Sequence, residues 1–244
     1  KMADLTFKGT TQEVLWEIAN GTKIDENTKV TINDNLYTGA NLLTIIANGG
    51  SALNYKVTLD KTAAALEIKN TFTNLEAILA GVNKYTGPLT ITPAPATAAQ
   101  INTIAAGTTG KVTATLAPGT TIDQAAVTAL KDVKATDNIT FKPTSAFALD
   151  GNADISALIS LNKILKADYS ALPDSTIKGG GNDVAVIKQA LAILKESPND
   201  IDVEIATANP ISAADANALA KASTTLTAVI KPGAVAATLK ALSD

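Results

Sequence analysis

Within residues 89–116 the chain reads Leu89-Thr90-Ile91, then Thr97-Ala98-Ala99-Gln100-Ile101-Asn102-Thr103-Ile104-Ala105, then Val112-Thr113-Ala114-Thr115-Leu116. The first and third segments alternate apolar and hydroxyl side chains with a period of two, the pattern of a strand with one buried face. The middle segment sets Ala98, Ile101, Ile104 and Ala105 along one face of a 3.6-residue period, which predicts an amphipathic helix. Strand, helix and strand in this order make one β/α unit.

The unit recurs. Strand-like tripeptides stand at Leu5-Thr6-Phe7, Val30-Thr31-Ile32, Val57-Thr58-Leu59, Ile139-Thr140-Phe141 and Leu226-Thr227-Ala228, with weaker members at Ser175-Thr176-Ile177 and Ile201-Asp202-Val203. Taken with the two strands quoted first, their centres lie 23 to 36 residues apart, about 28 on average. Helical periodicity fills the gaps at 12–20, 39–47, 63–82, 123–133, 155–165, 184–194 and 234–242. Ser212 with Asp215 three residues on has the layout of a helix N-cap with an acidic first turn.

A closed barrel or doubly wound sheet buries its strands on both faces, so they read as continuous apolar runs. Here only alternate residues are apolar. The pattern therefore predicts an α/β chain built as an open β/α solenoid, resembling a leucine-rich-repeat horseshoe. It would have about nine strand–helix units on one parallel sheet, with a closed α/β fold as its rival. Residues 1–244 are expected to form a single solenoid domain cut from a longer chain, with 147–181 as an irregular insertion because the longest step of the repeat falls there.

Composition removes several kinds of chemistry. The 244 residues contain no His and no Cys, and all 20 members of the Lys+Arg set are Lys. Imidazole bases, thiol nucleophiles and the usual zinc shells are excluded. So is the guanidinium fork that grips phosphate or guanine. A net charge of −3 argues further against a nucleic-acid partner. No apolar run reaches the 18 residues of a membrane span. Lys1-Met2-Ala3-Asp4 does not begin a signal peptide, since no apolar stretch follows the charge.

Three stretches, 97–105, Gly110-Lys111-Val112-Thr113-Ala114-Thr115-Leu116 and Ile211-Ser212-Ala213-Ala214-Asp215-Ala216-Asn217-Ala218-Leu219-Ala220, are similar to repeats of large secreted bacterial proteins. These are the surface-layer proteins, adhesins and repeats-in-toxin proteins. The likeness extends over about residues 87–244 and is one of style and composition, without an invariant signature. It implies a secreted, cell-surface, non-catalytic structural protein whose partners are neighbouring domains or copies of itself. The alternative it leaves open is a binding module that engages cell-envelope polysaccharide, lipopolysaccharide or a protein receptor.

The candidate interaction face is the row of hydroxyls Thr31, Thr58, Thr90, Thr92, Thr113, Thr115 and Thr140, which would point away from the helices. The rival reading is a solvated sheet face. Asp150, Asn152 and Asp154 offer oxygen at alternate positions, as a calcium loop requires, and calcium is the one cofactor considered. Ile155 and Leu161 stand where an EF-hand needs Gly and Glu, so a polar turn competes with that reading. Gly179-Gly180-Gly181 reads as a flexible loop. Asp200, Asp202 and Glu204 read as a solvated acidic strand edge. Trp16 reads as part of the first helix packing on its neighbours in preference to a sugar-stacking platform.

Overall fold

Four of the loops that lead from strand to helix share a spacing. Thr10, Thr38, Thr71 and Thr97 are followed three residues later by Glu13, Asn41, Asn74 and Gln100. In the structure, a computed structural model that describes residues 5–21, 23–25, 27–47, 55–60 and 66–231, each of these Thr residues is a helix N-cap. Its hydroxyl accepts the N–H three residues on. At Thr10, Thr38 and Thr97 the distal side chain returns a bond to the cap N–H and completes a capping box. These caps start α1 (Thr11–Asn20), α2 (Gly39–Ile46), α3 (Phe72–Gly81) and α4 (Ala98–Gly107).

The chain divides into two units, Lys1–Thr115 with Asp132–Ile139, and Leu116–Lys131 with Thr140–Asp244, a division of which the repeat spacing gives no sign. In the first unit, β1 (Thr6–Gly9), β2 (Lys29–Ile32) and β3 (Thr58–Leu59) pair in parallel and in sequence order. So do β4 (Ile68–Asn70), β5 (Leu89–Ile91) and β6 (Val112–Leu116). The helices α1 to α4 pack each on the next. Val30 and Ile32, Leu89 and Ile91, and Val112, Ala114 and Leu116 are buried, while the Thr residues between them are half-buried. One face of these strands is therefore core and the other meets solvent.

The second unit holds α5 (Gln124–Ala129), β8 (Ala148–Asp150), α6 (Gly151–Leu161), β9 (Leu165–Ala167), β10 (Ser175–Gly179), α7 (Val184–Leu194), β11 (Ile201–Ile205), α8 (Ala213–Ala220) and β12 (Leu226–Thr227). The division itself runs through β6 and through β7 (Asn138–Phe141). Four strands form a parallel sheet in the order β12-β11-β10-β8. Beyond β9, the Asp168 N–H reaches the Phe141 carbonyl at 2.9 Å. No described helix is long and apolar enough to cross a membrane.

The fold is thus α/β with parallel sheets, and each of the nine tripeptides overlaps a strand. The described residues carry twelve strands and eight helices, however, and the strands fall into three sheets, not one. The two longest steps of the repeat explain the surplus. Between Thr58 and Thr90 lies β4, and between Thr140 and Thr176 lie β8 and β9. These strands have three residues each and no central Thr. Residues 147–181, expected as an insertion, therefore contain regular strand and helix.

Pairing of Ile68 with Leu89 draws residues 68–70 into a sheet, so the helix expected at 63–82 begins only at Phe72. The helix expected at 155–165 begins at Gly151, and the one expected at 123–133 ends at Ala129. The stretch 234–242 lies outside the described residues.

Buried polar side chains brace the strand entrances. Asp137, 1% exposed, accepts the Val112 N–H at 2.9 Å and the Lys134 N–H at 2.8 Å. The Ser175 hydroxyl accepts the Phe147 N–H, and the Thr108 hydroxyl donates to the Tyr85 carbonyl. Asp137→Ala would leave one buried and one part-buried N–H group unpaired, at about 1–3 kcal/mol for the buried one. A fall of at least that order in urea-unfolding stability is expected, and Asp137→Asn should recover only part of it, because its amide has one acceptor oxygen where the carboxylate uses two.

Candidate functional site

The hydroxyl face is built by the parallel registers. Lys8 stands beside Thr31, and Thr31 beside Thr58. In the next sheet Lys69 stands beside Thr90, and Thr90 beside Thr113. The structure thus joins Thr31 to Thr58 and Thr90 to Thr113. Thr115 is half-buried further along β6, and Thr92 lies one residue past the end of β5, just before Pro93. Thr140 is exposed on β7. Charged side chains stand among these hydroxyls, as Lys8 and Lys69 do beside Thr31 and Thr90.

Those charges are matched locally. Lys8 Nζ meets Asp60 Oδ2 at 2.5 Å, Lys69 meets Glu67 at 3.5 Å, and Lys142 meets Asp168 at 3.2 Å. Lys178 meets Glu204, its register partner, at 2.9 Å. Hydroxyls join in: Thr90 donates to Glu67 and Thr225 to Asp202. The Thr90 hydrogen bond is the main reason the Glu67 carboxyl lies below its ordinary range, with the Lys69 charge assisting. The Glu204 hydrogen bond and charge hold the Lys178 ammonium above its usual value. Exposed pairs of this kind are screened by water and contribute little to stability.

A cleft of about 570 Å³ opens in the second unit at the carboxyl ends of β8, β10 and β11. Open parallel sheets bind ligands outside such strand ends. Asp150, Lys178, Asp183, Glu204, Asn209 and Thr227 line it. Asp150, Lys178, Glu204 and Thr227 are successive register partners, so charge alternates across three strands and gives way to a hydroxyl on the fourth. Gly179 to Gly181, expected as a flexible loop, are ordered by a cap: the Gly180 N–H donates to Asp183 Oδ2 at 2.7 Å. Gly181 packs so close that a Cβ would stand 2.6 Å from the Asn209 carbonyl. Nothing in the local sequence around Asn209 or Thr227 marks them, because only strand pairing and the β11–α8 loop bring them here.

The calcium candidates fall into a helix start and not into an open loop. Asp150 ends β8, and Asn152 and Asp154 lie in the first turn of α6. Gly151, at φ +78°, makes the strand-to-helix turn that leaves no room for a loop. Asn152 is committed on both sides, donating to Asp183 Oδ1 at 3.0 Å and accepting from the Ser156 hydroxyl at 2.9 Å. Asp154 Oδ2 accepts the Asp150 N–H at 3.4 Å. Among the described residues, no three acidic side chains converge as a metal set.

Two further expectations change. Asp202 and Glu204 do share the outer face of β11, but β11 lies between β10 and β12 and is no edge. Trp16 is 60% exposed, so it does not serve helix packing. No protein-family model matches the chain, and no curated protein matches it.

Asp168 offers a direct check of this electrostatic surface. Hydrogen bonds from the Ser170 hydroxyl and N–H, then the Lys142 ammonium, lower its pKa to about 2. A depressed carboxyl contributes stability that is complete above its unfolded pKa of about 3.9 and is lost as pH falls toward 2. NMR titration of the Asp168 carboxyl should find its midpoint near 2. Ser170→Ala should raise that midpoint more than Lys142→Met does.

Proposed function

We propose that the chain is a non-catalytic β/α solenoid of about nine units from a secreted bacterial surface protein, serving as structural material in a surface layer or an adhesin. The observation that carries this reading is the order of the strands. β1-β2-β3, β4-β5-β6 and β10-β11-β12 each place sequence neighbours side by side, with helices packed in the same succession. Repeats that contact only their neighbours behave this way. The outward strand face fits the role, because its charges are matched by their neighbours on that face. Its partners would be adjoining domains or further copies of the same protein.

A second reading is favoured by the cleft at Asp150, Lys178 and Glu204. There the strand face would act as a binding module for cell-envelope polysaccharide, lipopolysaccharide or a protein receptor. Concave strand faces of solenoids are common partner surfaces.

Small-angle scattering tests the architecture. A compact chain of this length has a radius of gyration of about 18 Å. The solenoid should exceed that clearly and give an elongated distance distribution, whereas a value at about 18 Å would sink it and the structural role with it. Calcium at Asp150, Asn152 and Asp154 is examined in the same sample. A rise in Tm with excess calcium, reversed by chelator, supports that site, and an unchanged Tm removes it.

A further inference from the structure

The chain has a single Trp, and it lies over a cleft of about 260 Å³ formed by Phe7, Lys8, Glu13, Trp16, Glu17 and Lys23. All six belong to the first unit, on β1, on α1 and just beyond it. Trp16 is 60% exposed, which leaves a large apolar surface in water. Its neighbour in the cleft, Glu17, is the reverse: a carboxylate only 7% exposed. Lys23 meets Glu17 Oε1 at 3.4 Å, but among the described residues Oε2 has no hydrogen-bond partner. An acceptor left unmet in a buried place is costly.

Two glycines pack against side chains that line this pocket. A Cβ on Gly21 would stand 1.8 Å from Glu17 Oε2, and one on Gly9 would stand 3.0 Å from both Glu13 Oε2 and Phe7 Cε1. Bare backbone is thus what lets both carboxylates lie where they do. Glu13 Oε2 takes the Thr10 N–H at 2.8 Å in the capping box. The formal charges of the lining cancel, Lys8 and Lys23 against Glu13 and Glu17, and Lys8 is further engaged by Asp60 at 2.5 Å. A cleft of zero net charge favours a neutral ligand over an ion. Its groups are an exposed indole, the Glu17 carboxylate, whose Oε2 lies buried against Gly21, and flanking ammonium donors.

We propose that the cleft between Phe7, Trp16 and Glu17 binds one sugar ring of a neutral glycan. The Trp16 indole stacks on the C–H face of the ring, an amphipathic surface suited to an amphipathic ring system. A ring hydroxyl donates to the Glu17 carboxylate, whose terminal torsion is broad enough to present either oxygen. Lys8 and Lys23 donate to other oxygens at the rim. The volume admits a single ring, so this is a subsite along a chain of sugars. The site uses none of the residues of the strand-end cleft and does not depend on the solenoid reading.

The lone Trp is its own reporter. Titration of the protein with cellotriose, maltotriose and N-acetylchitotriose, all uncharged, should give with at least one of them a saturable shift of indole emission. Half-saturation is expected on the order of a millimolar, as befits one ring's worth of contact. Glu17→Gln should weaken that binding by about tenfold, because a charged acceptor is exchanged for a neutral one. Trp16→Ala, read by calorimetry, should abolish the heat, while Lys178→Met should leave the titration unchanged. The circular dichroism melt of each variant shows that it folds, and exposed Trp16 gives the safest substitution.

Four results would overturn the proposal. One is the absence of a saturable response to all three sugars up to about 50 mM, far above the expected half-saturation. A second is a response to choline alone, which would make the cleft a cation site. A third is binding unchanged by both Trp16→Ala and Glu17→Gln, which would place it elsewhere. The fourth is an emission shift with protein concentration in the absence of sugar, which would show a second copy covering the cleft.

Discussion

Everything regular in this protein depends on one-sided burial of short parallel strands. A parallel strand cannot turn back on itself and needs a crossover to reach its neighbour, and here the crossovers contain helices. Helix packing covers one strand face, so the apolar residues must occupy alternate positions. Ile32, Leu89 and Ile177 lie at or near complete burial for this reason, each contributing about 1.5–3 kcal/mol through the area removed from water. The hydroxyls between them pack against strand neighbours and remain partly wet.

Short strands expose many chain ends, and the polar residues are spent there. Thr and Ser caps satisfy helix N–H groups at five starts, and Asp123 does the same for α5. At the other ends Asp137, Thr108 and Ser175 reach back to backbone groups 23 to 28 residues earlier in the chain. Thr11 shows the two tasks combined: its N–H and hydroxyl both bind Asp34, which brings a carboxylate to the start of α1. A chain rich in Thr and Ala can thus build many small elements without aromatic bulk. The largest fully buried rings are exceptions, Tyr37 and Tyr85 in loops and Phe141 at the end of β7.

How much of this was legible follows from the length scale of each feature. Three-residue segments with a central Thr mark eight strands, and one with a central Asp202 marks a ninth, because burial and propensity agree at those positions. It passes over Ile68-Lys69-Asn70, Ala148-Leu149-Asp150 and Leu165-Lys166-Ala167, whose strand state comes from a neighbour across the sheet and not from their own composition. The Thr-to-Glu, Asn or Gln spacing at the caps was available in the sequence and would have corrected the start of α3 at Thr71. The strand-end cleft was not available, since Asp150, Lys178, Glu204 and Thr227 follow one another at 23 to 28 residues and meet only through register. Trp16 misleads for a simple reason: helical periodicity places it beside apolar neighbours but says nothing of whether another element covers it.

The contrast between the two kinds of surface carries the functional argument. On the strand faces, acid and base meet across the register and Thr hydroxyls fill the gaps, as at Lys178 with Glu204 and Glu67 with Thr90. A surface that answers its own charges has little left to select a partner, which suits a scaffold. Beside Trp16 the arrangement is opposite. A bulky aromatic is left in water, a buried carboxylate oxygen finds no donor among the described residues, and two glycines let the carboxylates lie where they do. Each of these features costs stability when alone, and a folded chain retains such local conflicts mainly where a ligand resolves them. A sugar ring answers both, presenting C–H groups to the indole and O–H groups to the carboxylate. The same protein can then be scaffold along its strands and selective at one groove, with the selectivity located where the local rules of folding are broken.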